Sequence, residues 1–253
     1  MRPLRRAGTV IFDCDSTLSA IEGIEALADT HKAEIERLTE AAMGGSIPFE
    51  DVYGRRLALV RPTRARVEAL AYEYAGALAA DARDVLAALR AEGITIGLVS
   101  GGLRPAVEGL AREIGIDAQN VAAVDIYFDA DGNYAGFDAG SPLSRSGGKA
   151  ELLGSWRDRL RAPVMLVGDG VTDLEAQPVI DLFVAFTGFV ERAAVVTGAD
   201  VVVRARSLAP ILPLALGGQP PSDHAALSLY RKGLGLLDPE IQARLSRAFN
   251  AER

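Results

Sequence analysis

The chain has 253 residues, enough for one large core or for a core carrying an inserted domain. With 49% hydrophobic and 24% charged residues it has a globular make-up, not that of a disordered or fibrous chain, and a net charge of −7 speaks against nucleic acid or an anionic membrane surface as partner. Its single cysteine, Cys14, excludes a disulfide within the chain.

The start, Met1 to Gly8, is basic, but the apolar run after it ends at Asp13. That is too short for a signal core or a membrane span, so it reads as the frayed terminus of a cytoplasmic protein with no membrane partner. Thr9 to Phe12 is β-branched and aromatic, the pattern of a buried strand, and leads into Asp13-Cys14-Asp15. In an extended segment Asp13 and Asp15 point the same way and Cys14 points opposite, as a small core residue. Two carboxylates so close retain a proton or share a cation, and a hard divalent ion such as Mg²⁺ suits their oxygens. Taken alone, however, an Asp-x-Asp at a strand end is more often a solvated turn.

From Ile21 to about Tyr74 the apolar residues recur at helical spacing, with Gly44 to Pro48 and Arg61 to Thr63 as punctuation. Placed directly after the first strand, this block reads as a helical insertion covering whatever binds at Asp13. Near Asp81 the rhythm changes. A helix over 81–90 is followed by a strand over 94–99 that ends in Ser100-Gly101-Gly102, then a helix over 105–114. Val121 to Phe128 and Asn133 to Phe137 flank an Asp131-Gly132 turn and read as a hairpin. A helix runs from Lys149 to about Leu160, and Val164 to Val167 is a strand ending in Gly168-Asp169-Gly170. Leu182 to Phe186 and Asp200 to Val203 are further short strands. Buried strands alternating with helices predict an α/β fold, a doubly wound, Rossmann-like parallel sheet whose ligands bind at the carboxyl ends of the strands. The predicted division is a core of 1–17 and 79–216, a helical cap of 18–78 and a C-terminal helical extension of 217–253. The extension contains two amphipathic helices that could pack on the core or on a second subunit in a homodimer.

The strand ends carry Asp13-Cys14-Asp15, Ser100-Gly101-Gly102 and Gly168-Asp169-Gly170-Val171-Thr172-Asp173, with Ser146-Gly147-Gly148-Lys149 just before a helix. Each is weak alone. Together they put several carboxylates, a hydroxyl, backbone donors and a lysine at one sheet edge, a set suited to a phosphate and a metal. Lys149 in a first helical turn opposes the helix dipole, which favours a functional use.

FDCDSTL, VSGG, SGGKAELL and GDGVTDLEA resemble the four signature motifs of the haloacid dehalogenase superfamily of Mg²⁺-dependent phosphatases. DSTLSAIEGIEALA and GNYAGFDAGSPLSRSGGKAE resemble, more narrowly, its branch that acts on O-phospho-L-serine in the last step of serine biosynthesis. The likeness spans about residues 9–210 and implies a small phosphomonoester as substrate. Asp13 would be the nucleophile that forms an aspartyl-phosphate. Asp15 would protonate the leaving hydroxyl and then activate the water. Lys149, Ser100, Gly101, Gly102 and Thr172 would bind the phosphate, the last at a position where other members carry Asn. Mg²⁺ would be held by Asp13, Asp169 and the backbone carbonyl of Asp15, and Asp173 would orient Lys149 or the metal's waters. The resemblance also assigns Glu22 and Arg56 to the substrate's ammonium and carboxylate, with Met43 and Phe49 as apolar contacts. Phosphoethanolamine and phosphocholine, which lack the carboxylate, are the alternative substrates, and transfer to an alcohol is the alternative reaction. A phospho-receiver domain has similar residues but neither the insertion nor an acid/base at Asp15.

Overall fold

The computed structural model describes residues 4–28, 31–43 and 46–251. Met1, Arg2, Pro3 and the Gly44-Gly45 break lie outside the described residues. β1 (Thr9–Phe12) is buried on both faces, as a central parallel strand between two helical layers must be. It runs through a wide turn into the insertion, α1 (Gly23–Ala26), α2 (Lys32–Met43), α3 (Phe49–Val60) and α4 (Arg64–Gly76). α3 stops because Arg61 takes a left-handed conformation (φ 43°) ahead of Pro62, and α4 starts where the Thr63 hydroxyl caps the Arg66 amide. The chain then forms α5 (Ala82–Ala91), β2 (Thr95–Leu103), α6 (Arg104–Glu113), β3 (Val121–Val124), β4 (Ile126–Phe128) and β5 (Tyr134–Phe137). α7 (Gly148–Ser155), β6 (Val164–Gly168), α8 (Val171–Leu174), β7 (Leu182–Phe186), α9 (Ala193–Gly198), β8 (Val201–Val203) and α10 (Ile211–Ala215) follow. The last elements are α11 (His224–Gly235) and α12 (Pro239–Ala251).

The six-stranded sheet has the order β3-β2-β1-β6-β7-β8, with every pairing parallel. The two halves of the chain wind outward from β1, so the topological switch falls between β1 and β6. Phe12 is level with Leu98 on one side and Val167 on the other, which brings residues 13, 99–100 and 168–169 to one edge. The insertion leaves and re-enters the core at a single place, where Ser19 pairs with Leu78 and the Leu18 carbonyl accepts from the Ala79 amide (2.9 Å).

Three local expectations change. The run from Val121 to Phe128 is two strands, because the chain divides at Asp125: β3 joins the main sheet, and only β4 pairs with β5 in the hairpin. Asp125 itself pairs with Arg104 (2.6 Å) at the start of α6. Ser100, Gly101 and Gly102 lie within β2, which continues past a register shift to Leu103, so the strand does not stop at residue 99. α7 ends at Ser155, short of Leu160. The C-terminal helices use their apolar sides on the core: α11 packs on α10 and α5, and Tyr230 donates its hydroxyl to the Gly218 carbonyl (2.6 Å). Ile241 and Leu245 of α12 are buried. No described helix is long and apolar enough to cross a membrane.

Candidate active site

Every site residue named from the sequence except Asp173 lines one cavity between the strand ends and the insertion. It is partly enclosed, with a volume of about 30 Å³. Asp173 lies directly behind it and is fully buried.

On the core side the charges are paired. Asp13 follows β1 in extended conformation, and its Oδ1 accepts from the Cys14 amide (2.7 Å) and from the Lys149 ammonium (2.9 Å). Lys149, in the first turn of α7 and 4% exposed, also donates to Asp173 Oδ1 (2.6 Å), while Asp173 Oδ2 accepts from the Gly170 amide (3.0 Å). Gly168 makes this possible: a Cβ there would lie 2.2 Å from the Asp173 carboxyl carbon. Burial opposes the ammonium, but Asp13 and Asp173 outweigh it and hold the Lys149 pKa above the usual lysine value. Asp13 is raised well above the carboxylate range, by burial first and by Asp173 next, against the pull of Lys149. Asp169 accepts from the Thr17 hydroxyl (3.0 Å) and is pushed up to about 6 by burial, with Arg192 opposing.

Carboxylate oxygens of Asp13, Asp169 and Asp173 lie within 4.8 Å of one another, all on buried residues. Three hard oxygen donors converging in a buried site fit a small divalent cation, which would relieve their mutual repulsion. Each already has partners: Asp13 has Lys149 and the Cys14 amide, Asp169 has Thr17 and Arg192, and Asp173 has Lys149 and the Gly170 amide. The Asp15 side chain is directed elsewhere: its Oδ1 accepts from the Tyr74 hydroxyl (2.6 Å) and the Gly23 amide (2.8 Å). Burial raises its pKa, and the Tyr74 hydrogen bond works against that rise. Ser100 accepts the Gly102 amide on its Oγ (2.9 Å), and Tyr53 anchors the Gly101 carbonyl (2.7 Å), so this strand end is held rigidly. Thr172 and Met43 close the floor beside Gly170.

The insertion side differs. Arg56, on α3 and 3% exposed, donates from Nη1 to the Thr39 hydroxyl (3.0 Å) and stacks near Phe49 and Tyr53, 5.3 and 5.5 Å from the ring centres. Its Nε is buried without a partner. Burial lowers its pKa. Glu22 accepts from the Ser16 hydroxyl (2.7 Å) and is raised well above the carboxylate range, by burial first and by the charge of Asp15 next.

Residues that the sequence did not point to complete the site. Arg192, 4% exposed in the segment after β7, pairs with Asp169 and reaches Glu22 (3.8 Å) and Glu40 (3.7 Å) of the insertion. Tyr74 and Gly23 hold the Asp15 carboxylate and Thr17 that of Asp169, and Glu25 and Arg145 line the cavity. Thr187-Gly188 after β7, a turn signal at a strand end, is the one hint that could have drawn attention to the Arg192 segment.

A family model described as hydrolase, haloacid dehalogenase-like hydrolase, matches residues 7–177. The phosphoserine phosphatase of Rattus norvegicus is 38% identical over 192 residues, which is 75% of this chain and 85% of that protein. The chloroplastic phosphoserine phosphatase of Arabidopsis thaliana is 37% identical over 204 residues, 79% and 69% of the two chains. Among solved structures, a phosphoserine phosphohydrolase-like protein from Francisella tularensis superimposes with a TM-score of 0.72 at 27% identity, covering 78% of this chain and 95% of that one.

Proposed function

Because the chain belongs to the haloacid dehalogenase-like hydrolases, we propose that it hydrolyses O-phospho-L-serine to serine and phosphate, with Asp13 as nucleophile and Mg²⁺ as cofactor. The observation that carries the substrate is Arg56: a guanidinium 3% exposed, beside the strand-end carboxylates, with a buried Nε that has no partner. A buried cation left partly unpaired costs several kcal/mol, on the order of what an incoming anion returns. The carboxylate of an amino acid phosphate supplies that anion, and Glu22 across the same cavity can take the ammonium.

The chemistry follows from the core side. Lys149 holds Asp13 in place, and with Ser100 and the Gly101 amide it balances charge on the phosphoryl oxygens, whereas the Gly102 amide is spent on Ser100 Oγ. Asp13 attacks phosphorus as the seryl oxygen leaves with a proton from Asp15. Water then displaces Asp13 from the aspartyl-phosphate and gives its proton back to Asp15. Asp13 and Asp169, with the Asp15 carbonyl, would hold Mg²⁺, whose chemistry when bound is to neutralise the transferring phosphoryl group. A volume of about 30 Å³ holds a water or two and not phosphoserine, so the insertion must move for substrate to enter.

The test compares phosphoserine with phosphoethanolamine and an aryl phosphate in wild type and Arg56→Ala. The expected result is a loss of about 10- to 100-fold in kcat/KM on phosphoserine alone, the worth of one charge-assisted contact. An equal loss on all three esters overturns the substrate assignment.

A further inference from the structure

Asp15 is held by two donors that both reach the same oxygen. The Tyr74 hydroxyl lies 2.6 Å from Oδ1 and the Gly23 amide 2.8 Å from it. The amide can only donate, and burial together with the neighbouring Asp15 charge keeps Tyr74 a neutral phenol. Oδ2 faces the other way: a Cβ on Gly102 would lie 3.3 Å from it, and Gly102 lines the cavity with Ser100 and Gly101.

We infer that Tyr74 is a positioning residue for the acid/base step: with the Gly23 amide it fixes Oδ1 and thereby presents Oδ2 to the leaving oxygen. Tyr74 is suited to this. It is completely buried near the end of α4, its carbonyl accepts from the Ser19 hydroxyl (3.1 Å), and so its backbone is tied to the place where the insertion joins the core. Residue 23 must be glycine for the ring to reach, since a Cβ there would lie 2.0 Å from the Tyr74 hydroxyl oxygen. In the first half-reaction the Asp13 oxygen bonds to phosphorus, the bond from phosphorus to the ester oxygen breaks, and the proton on Asp15 Oδ2 passes to that oxygen. In the second, water bonds to phosphorus, the bond to Asp13 breaks, and the water's proton returns to Oδ2. A carboxyl free to rotate about χ2 would offer the wrong oxygen part of the time, and proton transfer needs the donor oxygen within hydrogen-bond reach.

The inference rests on the phosphatase reading above, and its test uses leaving groups. A seryl or ethanolamine oxygen needs the proton to depart, whereas p-nitrophenolate leaves without one. Rapid mixing of excess enzyme with substrate reads the first cleavage alone. Tyr74→Phe is expected to slow cleavage of phosphoserine at least 10-fold with little change in half-saturation, and to alter p-nitrophenyl phosphate cleavage less than twofold. Gly23→Ala, which pushes a methyl against the hydroxyl, is expected to show the same selectivity, and to do less harm in the Tyr74→Phe background than in wild type. Equal losses on the alkyl and aryl esters, or no loss on either, overturn the role of Tyr74. If wild type prefers another alkyl phosphate, the same comparison is run with that ester, so an error in the substrate leaves the test of Tyr74 standing. Should Tyr74→Phe melt far below wild type, Gly23→Ala decides by the same ratio.

Discussion

The two walls of the cavity handle buried charge in opposite ways. On the core wall every carboxylate has a partner, Lys149 sitting between Asp13 and Asp173 and Thr17 and Arg192 matching Asp169, although the Arg192 Nε is also buried without a hydrogen bond. On the wall built by the insertion, Arg56 has one hydrogen bond to Thr39, two aromatic rings and an unpartnered Nε. A wall whose charges are already paired is preorganised and does the same chemistry on any phosphoryl group. A wall that keeps a charge waiting selects the molecule that completes it. On the proposed function, reactivity and selectivity would reside on different segments, one built at the ends of parallel strands and the other on the helices of the insertion.

The largest effect should come from the reactive wall. Asp13→Asn is expected to lower turnover by about 10⁴-fold or more on every ester while circular dichroism stays native, as loss of a nucleophile does elsewhere. Substantial residual turnover, or loss on one ester only, would break the division between the walls. On the selective wall, Arg56→Met should separate stability from function. Filling the site with an apolar chain of similar length removes an incompletely paired charge, so the melting temperature should hold or rise while phosphoserine turnover falls. A large drop in melting temperature would mean that Arg56 is needed for folding and not for ligand.

The acid cluster makes a third, smaller prediction about pH. Asp169 titrates near 6 in the fold, above an ordinary carboxylate, and burial raises Asp13 in the same direction. From the unfolded value up to about 6 the native state binds more protons, so the stability contributed by these groups declines as pH rises through that window. The metal-free protein should lose melting temperature between about pH 4 and 6. Added Mg²⁺, which needs the ionised carboxylates, should raise it more at the upper end than at the lower. A Mg²⁺ shift that is the same at both ends would argue against the carboxylates as ligands. The smallest effect belongs outside both walls. Lys232 of α11 pairs with Asp81 just after the insertion re-enters the core, and both groups are partly exposed. Lys232→Ala should cost no more than about 1 kcal/mol in a denaturant titration and leave the ratio between esters unchanged.

Legibility was greatest where the signal is local. β1, β6 and β7 are short apolar runs, buried on every residue, and their periodicity and flanking glycines identify them without a partner in view. Ser100, Asp169 and Lys149 could be placed because a parallel alternating fold brings its strand ends to one edge. Asp125 shows the limit: no break is evident in the run from Val121 to Phe128, and it divides there because β3 finds a neighbour in β2 while β4 finds β5.

What the sequence determined by itself was the candidate chemistry: four short motifs, three fixed at strand ends and one at the start of a helix, carry the carboxylates, the hydroxyl and the lysine. What only the tertiary structure decided was which charges meet. Tyr74 lies 59 residues from Asp15 and donates to its Oδ1, and Arg192 lies 23 residues beyond the Asp169 with which it pairs. Neither stands in a motif. The reason is physical: a side chain's hydrogen-bond partner is set by where two separate elements pack, and nothing in the spacing along the chain encodes that distance. The C-terminal helices teach the same point, since their amphipathic pattern is equally suited to a core or to a second subunit, and the contact of α11 with α10 and α5 is what assigned it to the core.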